Sequence, residues 1–260
     1  MKLEIKNINF EVEGKKILNN INYSFAEGKR TGIIGTNGAG KSTLLKILCR
    51  LNEKFSGTVS IDGTDIKNLS RNKLAQYIAI LPQERDTPID TTVKQLTSYG
   101  RFPYHRLFKN HDTKADEEAI NWSLKVTKLE KFADRKVSTL SGGERQRAWL
   151  SMVLAQHPQI LLLDEPTTYL DIKHQLEVME IINEVNKLYG ITIIMVLHDL
   201  NHARMFTDDL IVIKNQSIFT HGTSENILTV DLINKVFDVK ADIFKNDKGD
   251  FIVMPLMSKN

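Results

Sequence analysis

The run Gly35-Thr36-Asn37-Gly38-Ala39-Gly40-Lys41-Ser42-Thr43 brings three glycines, one lysine and hydroxyl side chains together in nine positions. Such a loop can wrap its backbone closely around phosphates and turn its N–H groups inward. A helix opening directly after it adds partial positive charge. Lys41 then brings a full charge to the β- and γ-phosphates, and Ser42 offers a hydroxyl to Mg²⁺. The apolar Thr31–Ile34 before the loop reads as a strand. Ser42–Arg50, with Leu44, Leu45, Ile47 and Leu48, reads as a helix. That context favours a phosphate cradle over a bare glycine turn.

Two further groupings could do chemistry. Asp164 and Glu165 close the apolar run Ile160-Leu-Leu-Leu163. A carboxylate at a strand end can hold Mg²⁺ through water, and its neighbour can take a proton from an attacking water as general base. An acidic turn alone is the commoner case; beside a phosphate loop it becomes the minority reading. Leu140-Ser141-Gly142-Gly143-Glu144 sets a hydroxyl and two glycine N–H groups at the head of a helix running to Ala155. That is a second anion site of the same physical kind. Ser141 with Glu144 is also a capping box, and both uses draw on the same orphan donors. His198 follows the apolar Ile191–Leu197; on its own such a histidine is usually structural.

The elements around these groups alternate. Strands with turns at Glu13-Gly14 and Glu27-Gly28 open the chain, and Thr58–Ile61 and Ile78–Leu81 read as further strands. Helical periodicity dominates from about 84 to 158, in Asp116–Leu129 and Gly143–Ala155. Strand Ile160–Leu163, helix Ile172–Tyr189, strand Ile191–Leu197, helix Asp199–Met205 and strand Leu210–Ile213 then predict a parallel sheet flanked by helices. The tail reads as a helix, Asp231–Phe237, and a hairpin, Asp242–Met254, around Asn246-Asp-Lys-Gly249. Trp149, Met152 and Val153 form an apolar stripe that reads as core.

These motifs, in this order, resemble the ABC ATPase family over essentially the whole chain. The resemblance implies an α/β P-loop NTPase of the ABC class: a RecA-like core, an antiparallel β subdomain and an inserted helical subdomain. It implies a nucleotide-binding lobe over 1–83 and 159–230, a helical signature lobe over 84–158, and a tail over 231–260. The family binds and hydrolyses ATP with Mg²⁺ as a head-to-tail homodimer, and Ser141–Glu144 of one copy would meet the nucleotide of the other. Gln83 in Leu-Pro-Gln resembles the glutamine that senses Mg²⁺ and water and faces the membrane partner. Mg²⁺ would fall to Ser42, Gln83 and Asp164, and catalysis to Glu165, Gln83 and His198. Thr168-Tyr-Leu-Asp171 resembles the D-loop, with Asp171 crossing the dimer interface. Two positions depart from the pattern. Val12 stands where an aromatic usually stacks on adenine, which leaves Phe10, Lys15 or Lys16 as candidates to cover the ring. Thr168 and Tyr169 stand where smaller residues are common, and nothing in the sequence explains them.

Composition narrows the class. The 260 residues are 41% hydrophobic with a net charge of +3 and interspersed charges, so no basic arm points to nucleic acid. Cys49 is the single cysteine, which suits a reducing compartment. No run approaches the ~18 apolar residues of a membrane span, and the N-terminus does not read as a signal peptide. A switch GTPase is excluded by the missing Asn-Lys-x-Asp motif. Repair and translation members carry coiled-coil insertions or a second ATPase domain, and this chain has neither. An importer's ATPase remains, peripheral on the cytoplasmic face of the membrane, with integral-membrane permease subunits and, indirectly, a substrate-binding lipoprotein. Tyr99-Gly-Arg-Phe-Pro-Tyr-His105, Arg147-Ala-Trp149 and Leu170-Asp-Ile-Lys-His-Gln175 are similar to the ATPases of iron–siderophore importers. Vitamin B12 and haem importers are the runner-up, and a soluble member not tied to transport ranks below them. The segment from Gln83 through His105, extended by Leu107 and Phe108, is the expected permease-docking surface.

Overall fold

A computed structural model describes residues 1–83, 90–105, 113–245, 247 and 251–258, the side chains of Phe251 and Ser258 excepted. The chain opens with β1 (Leu3–Val12), β2 (Lys15–Phe25), β3 (Arg30–Gly35), α1 (Lys41–Leu48), β4 (Ser56–Ile61) and β5 (Thr64–Asp65). Next come α2 (Arg71–Tyr77), β6 (Ile78–Leu81), α3 (Val93–Ser98), a 3-10 turn over Tyr99–Tyr104, α4 (Thr113–Val126), α5 (Gly142–Ala155), β7 (Ile160–Asp164) and α6 (Ile172–Tyr189). The last elements are β8 (Thr192–Val196), α7 (Leu200–Phe206), β9 (Asp209–Lys214), β10 (Ser217–Thr223), α8 (Ser224–Ile227), α9 (Val230–Phe237), β11 (Val239–Lys245) and β12 (Phe251–Ser258). Two compact units result: residues 66–193 with Met1, and residues 2–65 with 194–260.

In the 2–65/194–260 unit, β1 lies antiparallel to both β2 and β4. Its buried residues Leu3 and Ile5 alternate, and the rhythm then slips to Ile8 because Asn7 takes a left-handed φ of 53°. The extra residue is a bulge that re-aims the strand. β3 runs parallel to β9, and β9 antiparallel to β10. Arg30 fixes the start of β3. Its N–H donates to Asp208 Oδ2 at 2.8 Å and its Nη2 to Asp208 Oδ1 at 2.7 Å. Ile33 and Ile34 have no exposed surface, nor do Leu44, Leu45, Ile47 and Leu48 on α1. Each such side chain contributes roughly 1.5–3 kcal/mol of burial, so the loop between β3 and α1 springs from a rigid base. At the C-terminal end, Ile233, Ala241 and Val253 form a small core. Asn201 clasps the Val253 backbone there, through Nδ2 to its carbonyl and Oδ1 from its N–H.

In the 66–193 unit, β6 and β7 pair in parallel, Ile78 opposite Ile160 and Leu81 opposite Leu163. Every residue of β7 is buried, as expected for a strand covered on both faces. α3, α4 and α5 enclose a second core of Val93, Leu96, Ile120, Leu124, Leu129, Val137, Leu140 and Ala148. α4 begins at Thr113 and ends at Val126, short of the expected Leu129, because Lys128 turns left-handed at φ 58°. The 3-10 turn is tied down by Arg101, which donates to Asp116 Oδ1 at 2.7 Å and to the Ala155 carbonyl at 2.8 Å. Residues 84–89 and 106–112, which include Leu107 and Phe108 of the expected docking surface, lie outside the described residues, as do Asn246 and 248–250 of the expected hairpin turn.

Candidate active site

The phosphate loop leaves β3 through backbone that only glycine enters cheaply. Gly35, Gly38 and Gly40 have φ of 148°, 74° and 98°, a region that costs other residues steric strain. Space also excludes a side chain: a Cβ on Gly35 would lie 2.1 Å from the Ile213 carbonyl oxygen, and one on Gly40 2.6 Å from that of Ile17. α1 starts at Lys41 with Gly40 as its N-cap and no side-chain cap. Lys41 is buried, and its Nζ donates to the carbonyls of Gly35 and Thr36, each at 2.9 Å. Those bonds hold the ammonium inside the curl of the loop. A buried cation behind uncapped helix N–H groups fits a phosphate chain. Ser42 and Thr43 are half-buried, Asn37 and Gly38 exposed, and Ala39 buried. In the same unit His198 stands exposed just after β8, and the Leu197 N–H donates to the Ile33 carbonyl at 3.1 Å. Val12 is also exposed.

The paired carboxylates sit in the 66–193 unit. Asp164 ends β7 and is 2% exposed. Glu165 follows with a left-handed φ of 51°, an uncommon conformation that turns its side chain out of the strand's alternation. Two donors converge on one of its oxygens: Gln83 Nε2 at 2.6 Å and Thr168 Oγ1 at 3.0 Å reach Glu165 Oε2. Sequence reasoning left Thr168 unexplained; the structure gives it this bond. The two bonds fix where this carboxylate points.

The helix head at Ser141 is a complete capping box. The Glu144 N–H donates to Ser141 Oγ at 3.3 Å, and the Ser141 N–H donates to Glu144 Oε2 at 2.9 Å. That backbone bond, above all, holds the Glu144 carboxyl below the usual carboxylate range. Gly142 contributes to a cleft of about 200 Å³ that Gln83, Gln146, Trp149, Glu165, Thr168 and Leu170 also line. Trp149 therefore does more than fill the core: it packs on the helical cluster and faces this cleft, while Val153 is fully inside. Gln146 Nε2 bonds the Pro166 carbonyl. Asp171 caps α6, taking the His174 N–H on Oδ1 at 2.9 Å. Tyr169 has φ 64° and is 95% exposed. His174 and Glu177 went unnoticed as site residues, since their spacing alone says only that they share a helix face.

A glycine-rich strand-to-helix loop and a buried carboxylate at the end of a parallel strand define a P-loop α/β protein. The family model described as "ABC transporter" matches residues 18–168. The petrobactin import ATP-binding protein FpuC of Bacillus anthracis is 43% identical over 242 residues, covering 93% of this chain and 89% of that protein. The iron(3+)-hydroxamate import ATP-binding protein FhuC of Bacillus subtilis (strain 168) is 43% identical over 227 residues, covering 87% and 84%. An ATP-binding cassette solved as a dimer in a post-hydrolysis state with ADP and phosphate has a TM-score of 0.72 and 28% identity, covering 85% of this chain and 98% of that one. The chain belongs to the ABC transporter family, as an ATP-binding subunit. Among the described residues, no helix is long and apolar enough to cross a membrane.

Proposed function

We propose that this chain is the ATP-hydrolysing subunit of an importer of iron–siderophore complexes. The observation that carries the proposal is identity over most of the chain to two import subunits named for two different iron chelates. Vitamin B12 and haem rank below for the same reason.

In this reading Gly35–Thr43 hold the phosphates, with Lys41 as the charge. Ser42, Gln83 and Asp164 hold Mg²⁺. Bound Mg-ATP supplies the phosphoryl group that water attacks. Glu165 takes the proton from that water. Gln83 and Thr168 aim the carboxylate by holding Oε2, and His198 contacts the γ-phosphate. Two copies close head-to-tail, so Ser141–Glu144 and Asp171 of each act on the partner's site. ATP drives the cycle to the extent that it binds the closed dimer more tightly than the open one. The helical lobe, 84–158, moves on closure. The subunit sits on the cytoplasmic face of the membrane against permease chains, which receive substrate from a binding lipoprotein. No nucleic acid takes part.

The docking part of the reading is supported by Tyr99, Phe102 and Tyr104, which are 38%, 60% and 36% exposed on the 3-10 turn that Arg101 anchors. Tyr99 and Phe102 stack at 5.2 Å. Exposed aromatics clustered this way mark an interaction site. Cysteines placed at 99–105 should cross-link to cytoplasmic permease loops; cross-links elsewhere and none here would reject the surface.

The substrate is tested in the source organism. Deleting the gene should abolish growth on ferric siderophore as the iron supply. The wild-type gene should restore it and the Glu165→Gln gene should not. Growth unchanged by deletion, with cobalamin or haem uptake lost instead, would move the chain to the runner-up class.

A further inference from the structure

The two signature glycines are glycine for different reasons. Neither Gly142 nor Gly143 has a left-handed φ, so backbone conformation demands glycine at neither. A Cβ on Gly142 would meet only Leu170 Cδ2, at an ordinary 3.8 Å. A Cβ on Gly143 would lie 2.3, 2.5 and 2.7 Å from the Cγ, Nδ1 and Cδ2 of His174. The imidazole thus lies flat against the bare Cα of Gly143.

His174 is held there through both its backbone and its ring. Its backbone N–H is bonded to Asp171. Its Nδ1 is 3.0 Å from Glu177 Oε2. Arg147, one turn along the signature helix, donates from Nη1 to that same oxygen at 2.5 Å. The His174 bond, first, and the Arg147 charge keep the Glu177 carboxyl below its usual range.

We propose that His174 is a positioning residue that seats on Gly143 and locks the signature turn to the D-loop, so that both reach the partner copy as one block. The seat is closed at the far side by the Arg147–Glu177 pair. This inference rests on the reading of Ser141–Glu144 as the surface that meets the partner's nucleotide.

Two measurements on the full chain keep the seat and that reading apart. The first is a melting cycle that needs no nucleotide. Gly143→Ala should lower Tm by about 4 °C or more, because overpacking cannot be relieved. Adding His174→Ala should bring the double variant to within about 2 °C of His174→Ala alone. Gly142→Ala should leave Tm unchanged. Strictly additive losses, or a Gly143→Ala chain that melts like the parent, overturn the seat. A Gly143→Ala chain that fails to fold but folds with His174→Ala supports it.

The second is ATP-dependent dimerisation in the Glu165→Gln background. His174→Ala should raise the ATP needed for half-dimerisation about tenfold, with ATP affinity of the monomer unchanged. His174→Gln, which keeps a donor for Glu177, should recover to within about threefold. Dimerisation insensitive to His174→Ala overturns the coupling. A parent that never dimerises with ATP overturns the signature reading, and the melting cycle still decides the seat.

Discussion

Two helices of this molecule begin on glycine-rich loops, and they begin in opposite ways. α1 starts from Gly40, which has φ 98° and no side-chain cap. α5 starts from Ser141, extended at φ −61°, ψ 165°, inside a closed capping box. At α1 the glycines serve the backbone: three of them occupy positive-φ conformations that cost other residues strain. At α5 the glycines have ordinary φ values, and the capping box already pairs the N–H groups of Ser141 and Glu144. The first start has a buried cation, Lys41, and no side-chain cap. The second is closed by a capping box, with the side chains of Ser141 and Glu144 both committed to the helix head. Under the proposed function, that asymmetry suits a loop that holds nucleotide and a signature that meets the nucleotide of a second copy.

The largest effect expected is on chemistry and not on either helix start. Glu165→Gln should reduce phosphate release by at least ~100-fold, since a positioned base contributes about 10²–10⁴. ATP binding should survive, and size-exclusion chromatography should show a trapped dimer. A variant that turns over at near wild-type rate would remove Glu165 from the base role. This background is also where the two helix starts can be told apart.

Lys41→Ala strikes the first. It removes the one charge inside the loop, worth roughly 1.5–3 kcal/mol for a hydrogen bond to a charged group. ATP affinity by titration calorimetry should fall about 10- to 100-fold in the monomer. Ser141→Arg strikes the second. Affinity in the monomer should stay within about twofold, while the Glu165→Gln dimer fails to form because the larger side chain blocks the approach. If Ser141→Arg weakens monomer binding as much as Lys41→Ala does, the division of labour between the two starts is wrong.

Much of this was legible because local physics dictated it. The β3–α1 loop is forced by its glycines, and Ile160–Leu163 could only be a buried strand. Helix Ile172–Tyr189 is bounded as the sequence suggests, by Asp171 as N-cap and by Gly190 in the left-handed conformation at its end. Helices α2 and α3 went unread because each is at most seven residues long and held by a cap, Ser70 or Thr92, more than by a periodic apolar face. β10 went unread because its residues alternate only between half-buried and exposed. In the site, the residue types were legible and their partners were not. Thr168 looked like an anomaly until its hydroxyl was seen on Glu165. The contact of His174 with Gly143 spans 31 positions (174 − 143), and no local pattern encodes a ring lying on a Cα across two helices.

The smallest effect sharpens the comparison most. If α5 is capped by its own side chains, Ser141→Ala should cost the folded monomer about 1 kcal/mol with no nucleotide present. For a chain of this size that is a fall in Tm of about 2–4 °C. The loss follows from the bond to Oγ. Without Oγ the Glu144 N–H turns to water, while the Glu144 carboxylate keeps its bond from the Ser141 backbone N–H. Ser141→Thr, which retains the hydroxyl, should recover most of the loss. α1 has no counterpart, because Gly40 contributes no side-chain cap to remove; there stability should rise with added nucleotide instead, by mass action on the folded state. Differential scanning calorimetry of Ser141→Ala and the parent, each with and without ATP, separates the two behaviours. Equal melting of the two proteins without ATP would mean that the box contributes nothing until the partner arrives, and the contrast between the two helix starts would fail on its own terms.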